Sequence, residues 1–174
     1  MRTRSLLATL LIVFAGPALA QSLGEKTGVN SALGITPHTS DFVKEAAQSD
    51  MFEIQSSRFA SAKTQGGVQG FANQMVTDHT KTTNELKGLA ETANIPLPAA
   101  MSSSQEDMLN KLKTLNGNDF SKQYVKDQVS AHKTAVSLFQ RYANGGRNAQ
   151  IKAWAGQTVP TLQHHLDMAN ALNK

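Results

Sequence analysis

The chain has 174 residues, 17 lysines and arginines against 13 acidic residues, and no cysteine. Disulfides are excluded, no thiol is left for a lipid anchor, and the length suits one domain with its own core. The acids and bases alternate along stretches such as "DHTKTTNELKGLAE", and no basic run is interleaved with aromatics, which argues against a nucleic-acid partner.

Residues 1–20, "MRTRSLLATLLIVFAGPALA", read as a cleaved signal peptide: Arg2 and Arg4, an apolar stretch from Leu6 to Ala15, then Ala18-Leu-Ala20 as cleavage site. The apolar stretch is about half of the roughly 20 residues that a membrane span needs. Periplasmic or secreted localisation is the expectation, with no membrane span in the mature chain. Without Arg2 and Arg4 the 17 basic residues become 15 against 13 acidic, a net of +2. Residues 21–38 carry glycines, a proline and no period, and are expected to form a flexible segment ahead of a domain over 39–174.

Four long helices are predicted in that domain. The first runs from about Asp41 to Lys63, capped by Thr39 or Ser40, with Phe42, Ala46, Ser49, Glu53, Ser56 and Ala60 inward. The second covers about Gly67 to Ala93, with Val68, Ala72, Met75, His79, Thr82, Leu86, Leu89 and Ala93 on one side, and "NIPLP" stops it. A long connection follows, holding a short amphipathic helix that starts with a Ser103-x-x-Glu106 capping box. The third long helix spans about Phe120 to Asn144, its stripe formed by Val125, Val129, His132, Val136, Phe139 and Ala143. The fourth runs from about Ala149 to Leu172 with Ile151, Ala155, Thr158, Leu162, His165, Ala169 and Leu172 aligned, and Pro160 is expected to kink it. No strand pattern competes, so the class is all-α. Short links make two antiparallel helical hairpins, and one long crossover between them is the ferritin-like four-helix bundle arrangement.

The apolar stripes are interrupted by ionisable residues near mid-helix. Glu53 lies as far before the first turn as His79 lies after it, and His132 sits halfway along its helix. His165 falls about 6 Å off that level at 1.5 Å per residue. A buried imidazole without partners costs roughly 1–3 kcal/mol, so several of them must satisfy one another, a water or an ion. Ligands sent inward from facing helices are how bundles build metal sites. Glu53, His79, His132 and His165 are therefore candidate ligands for one transition-metal ion, with Asp50 one turn from Glu53 as a further candidate. Three imidazoles and a carboxylate suit Zn²⁺, Cu²⁺ or Fe²⁺. Met75, one turn before His79, and Met168, one turn after His164, would add soft sulfur favouring copper, although gap-filling core is the commoner use of methionine. His164 lies about 100° around the helix from His165 and is expected at the rim.

The stretches "DFVKEAAQSDMFEIQSSRFA", "FANQMVTDHTKTTNELKGLA", "IPLPAAM", "YVKDQVSAHKTAVSLFQRYA" and "LQHHLDMANAL" resemble the exported bacterial proteins of domain-of-unknown-function family 4142, often labelled predicted outer membrane proteins. The resemblance runs from Asp41 to Leu172 and implies a ferritin-like fold without implying an activity. The outer-membrane label conflicts with helices that are amphipathic and with the lack of barrel-like alternation. Iron-binding ferritin-like proteins use Glu-x-x-His pairs, whereas Val76, Val129 and Leu162 stand three before these histidines, so ferroxidase chemistry does not transfer. A hydrolase lacks support: there is no Gly-x-Ser-x-Gly elbow and no His-Glu-x-x-His. Two functional readings remain, a metal-binding bundle for metal handling or stress protection, and a structural or pH-responsive module whose Glu–His network only specifies the core. The sequence does not choose a protein partner or an oligomeric state.

Overall fold

The computed structural model describes residues 29–174, with side-chain surroundings from residue 31 onward. The signal peptide expected over residues 1–20, and residues 21–28 of the segment after it, lie outside the described residues. Among the described residues every regular element is helical: a single turn α1 (Val29–Ala32), then α2 (Thr39–Lys63), α3 (Gly66–Thr92), α4 (Ser103–Thr114), α5 (Gly117–Gly145) and α6 (Ala149–Leu172). None of these helices is long and apolar enough to cross a membrane.

The helix ends follow local chemistry, sometimes one turn from where periodicity puts them. α2 begins at Thr39 with His38 at the cap position and no side-chain capping bond, because the Thr39 hydroxyl instead accepts from Tyr142 at 2.9 Å. α3 closes in a Schellman pattern, with Asn94 at φ 53°, its N–H donating to Glu91 and that of Ile95 to Ala90. The capping box of α4 is Ser102 with Gln105, one residue before the expected Ser103 and Glu106, since the Gln105 side chain accepts from the Ser102 N–H. α5 starts three residues before Phe120, as Gly117, Asn118 and Asp119 form a polar first turn that leaves no periodic trace. α6 has the expected bounds and continues through Pro160 to Leu172.

Residues 31–38 are fastened to α5, unlike the flexible segment expected there. Ser31 bonds Ser137, Arg141 donates to the Ile35 carbonyl, and Thr36 donates to the Arg141 carbonyl. Thr36 packs so closely on α5 that a Cβ at Gly145 would collide with its hydroxyl.

Cross-helix contacts fix the direction of every neighbour. Asp50 meets Thr83 while Ser61 meets Asn73, so α2 and α3 are antiparallel. Phe139 packs on Trp154 and His132 on His165, so α5 and α6 are too. Phe42 stacks on Tyr142 at 4.1 Å while Ser57 bonds Tyr124, which sets α2 against α5. Glu85 accepts from Trp154 and Asp78 contacts His165, which sets α3 against α6. α3 and α5 therefore run the same way, and α4 lies in the connection that carries the chain back, packing on α2 and α5 with Leu109 and Leu112 buried.

The core is layered. Phe42, Phe139, Tyr142 and Trp154 fill one end, and Phe71, Phe120 and Tyr124 the other. Between them lie buried polar groups. On α2 the inward position falls to Asp50 rather than Ser49, which is only half-buried.

Phe42, fully buried between Tyr142 and Phe139, should cost about 3–5 kcal/mol when replaced by alanine. Gly70 sits exposed inside α3 with open space around its missing Cβ, so Gly70→Ala should add about 0.5–1 kcal/mol. Urea denaturation of the two variants checks both signs.

Candidate metal centre

The waist of the molecule brings together one histidine from each of three helices. His79 (α3), His132 (α5) and His165 (α6) are 1–2 % exposed, their ring centroids 5.4–5.5 Å apart. One ring nitrogen from each lies within 4.8 Å of the other two. His165 is thus level with the others. α5 runs one residue further than expected, to Gly145, and the remaining offset is taken up as the His132 and His165 side chains, each leaning toward its own helix N-terminus, lean toward one another in the antiparallel pair.

Each ring is held from outside by an acceptor. His79 Nδ1 meets Asp50 Oδ1 at 2.8 Å, and the other Asp50 oxygen accepts from the hydroxyls of Thr82 and Thr83. His132 Nδ1 lies 3.0 Å from the Gln128 carbonyl, one turn back on the same helix. His165 Nε2 meets Asp78 Oδ2 at 2.8 Å, an oxygen that also accepts from Gln74. Carboxylates and carbonyls only accept, so in the neutral state each ring carries its proton on the outer nitrogen. The opposite nitrogens, Nε2 of His79, Nε2 of His132 and Nδ1 of His165, are buried without a hydrogen-bond partner. Each keeps a lone pair as long as its ring is neutral.

Glu53 (α2), 1 % exposed, is not part of that group of three: its Oε1 lies 3.8 Å from His132 Nδ1, the ring's outer nitrogen. Neither of its oxygens has a hydrogen bond of good geometry, although the Gln128 side chain lies near. Burial pushes its pKa up to about 7, against the pull of His79 and Gln128. Burial likewise lowers His132 to about 3, assisted by the charges of His79 and His165. His165 falls to about 4, chiefly through burial and against the Asp78 hydrogen bond. For His79 burial acts downward, but the bond and charge of Asp50, then Glu53 and Asp78, outweigh it and raise the pKa. Asp78 is lowered, since Gln74 and His165 together exceed its modest burial.

Of the remaining candidates only Asp50 reaches this cluster. Asp50 is brought to the site as the hydrogen-bond partner of His79. Met75 is fully buried in the hydrophobic core, Met168 packs against that core half-buried, and His164 is exposed. Sequence reasoning missed Asp78 as the holder of His165. Its neighbour His79 was visible, but a contact from α3 to α6 depends on the rotation of both helices, which periodicity alone does not give. Gln128 and the Thr82–Thr83 pair carried a local signal, lying one turn from His132 and His79 respectively.

The shifts fix how stability should depend on pH. His132 and His165 bind protons less readily folded than unfolded, so their contribution is complete above about pH 6.5 and is lost as pH falls toward 4. Glu53 acts oppositely, adding stability as pH falls from about 7 to 4.5, and raised His79 loses its contribution as pH rises through its folded value. Between about pH 6.5 and 4.5 two lowered rings oppose one raised carboxyl, and the rings prevail. Thermal melts of metal-free protein should peak near neutrality and decline on the acid side, with a shallower decline in His132→Leu. A Tm that holds or rises down to pH 4.5 would contradict this assignment.

Neither the curated proteins nor the solved structures contain a match to this chain. The profile of one family, described as Domain of unknown function (DUF4142), matches residues 24–172 and so takes in all four residues of the waist. The chain belongs to the DUF4142 family.

Proposed function

We propose that the protein binds one divalent transition-metal ion at its waist, through the inner nitrogens of His79, His132 and His165 with Glu53 as fourth donor. The observation that carries this reading is the set of buried ring nitrogens without partners, one each on His79, His132 and His165, three residues whose ring nitrogens come within 4.8 Å of one another; both Glu53 oxygens are also buried without a partner, beside His132. Each would cost roughly 1–3 kcal/mol if left unmade, a cost an ion removes. Neutral imidazoles with their outer nitrogens held by Asp50, Asp78 and a carbonyl match the way metal-binding histidines are oriented. The donor set suits Zn²⁺, Cu²⁺ or Fe²⁺. Bonds of about 2.0–2.1 Å put the nitrogens of a tetrahedral ion about 3.4 Å apart. Rings that now lie within 4.8 Å would move inward by a few tenths of an ångström to about an ångström on binding.

The helix directions support a ferritin-like four-helix bundle as the scaffold, with α4 in its long crossover. The N-terminal pattern of residues 1–20 supports export and cleavage near Ala20. Together they favour metal handling or stress protection outside the cytoplasm. A second reading, a pH-responsive or purely structural polar layer, draws on the Asp50–His79 and Asp78–His165 pairs. It accounts for the outer nitrogens and leaves the inner ones unexplained.

Metal-stripped protein should take up one equivalent of Zn²⁺, Cu²⁺ or Fe²⁺ with micromolar or tighter affinity and gain about 2.7 kcal/mol of stability at a hundredfold excess over Kd. His132→Leu should abolish uptake while leaving the metal-free protein as stable or more so, because an apolar side chain replaces an unpaired buried group. Elemental analysis and titration decide. A wild-type chain that takes up none of Zn, Cu, Fe or Mn at micromolar concentration would end this reading.

A further inference from the structure

The three rings are closed to solvent, so an ion must reach them through a particular face. Among the groups holding the rings from outside, Gln128 is fully buried and the Asp50 side chain is 8 % exposed. Asp78 is different, its side chain 24 % exposed. It lines a cleft of about 180 Å³ between α3 and α6, together with Thr82, Thr158 and, toward the mouth, Glu85, Gln157 and Thr161. The cleft touches the supports of two rings at once, since Asp78 holds His165 and Thr82 donates to Asp50, which holds His79. One hydrogen bond separates the cleft from His165.

Size, charge and backbone agree with cation passage. At about 30 Å³ per water the cleft has room for several waters, enough for a partly hydrated ion. Two carboxylates, Asp78 and Glu85, line it against one lysine, Lys81, and Glu85 is held by the Trp154 indole N–H at 2.9 Å. Lys81 is largely in solvent, 3.9 Å from Glu85 at its closest. On α6, Pro160 falls between the lining residues Thr158 and Thr161 and cannot donate to the Gly156 carbonyl, so this turn has one bond fewer to resist a local widening. A larger cleft on the other side, between α2, α4 and α5, touches none of the three rings and none of the groups bonded to them.

The geometry points to the α3–α6 cleft as the exchange channel of the metal centre: a hydrated divalent transition-metal ion sheds water against Asp78 and passes to the triad beside His165. This rests on the metal-binding reading above and adds a route to it. A channel controls rates without controlling equilibrium, and that separates it from a structural role. Gln157→Phe and Thr161→Phe, both at exposed positions on α6, would narrow the mouth without touching any ligand. Loading and release of Zn²⁺ or Co²⁺, followed by stopped flow with a competing chromophoric chelator, should each slow tenfold or more, with Kd within threefold of wild type. Ser104→Phe, in the other cleft, should leave both rates unchanged. Circular dichroism verifies the fold of each variant, and the two mouth positions give independent readings. Wild-type rates in both mouth variants, or an altered Kd at an unaltered loading rate, would overturn the channel. Failure of the wild-type protein to bind any metal would overturn the centre itself, a result seen before any variant is compared.

Discussion

The rest of the structure depends on the outward hydrogen bonds of three buried imidazoles. Asp50, the Gln128 carbonyl and Asp78 can only accept, so they draw the ring protons away from the centre of the molecule. In the neutral rings the opposite nitrogens keep their lone pairs, and burial favours that neutral form for His132 and His165 while Asp50 favours the charged form of His79. Without those acceptors the rings could exchange protons and bond one another, and the waist would be a self-contained polar layer. With them, it is a set of donors lacking a common acceptor.

The helices make this arrangement affordable by placing it between two aromatic layers. Phe42, Phe139, Tyr142 and Trp154 seal one end, and Phe71, Phe120 and Tyr124 the other. Dense packing at both ends lets the middle carry unpaired polar atoms that a smaller core could not tolerate. The antiparallel direction of every neighbouring pair matters as much. It lets His79, His132 and His165 meet at the waist while each helix keeps its own apolar stripe. The polar outer partners also differ in how far they reach: Asp50 and Gln128 stay inside, while Asp78 extends to the cleft between α3 and α6.

Much of this was legible in the amino-acid sequence, for definite reasons. Apolar periodicity located the long helices, and α6 had its observed bounds because Asn148 caps it, bonding the Ile151 N–H, and its stripe begins at once. The inward histidines were found because each interrupts an otherwise apolar series. The family was readable from long matching stretches, and the profile match over 24–172 agrees with it. What escaped were features set by choices among near-equivalent residues: Ser102 over Ser103 as cap, Asp50 over Ser49 as the inward position, Gly117 as the start of α5. Asp78 escaped for a deeper reason, since its contact with His165 joins helices 87 positions apart in sequence and depends on their rotation. The ties of Ser31, Ile35 and Thr36 to α5 are likewise long-range and carry no periodic signal.

The account stands on the inner nitrogens converging on a single ion, and X-ray absorption spectroscopy of the metal-loaded protein tests that directly. The expected spectrum has three imidazole nitrogens at about 2.0–2.1 Å, with their multiple scattering, and one oxygen donor. A coordination sphere made of water oxygens or sulfur, with no imidazole signature, would contradict it.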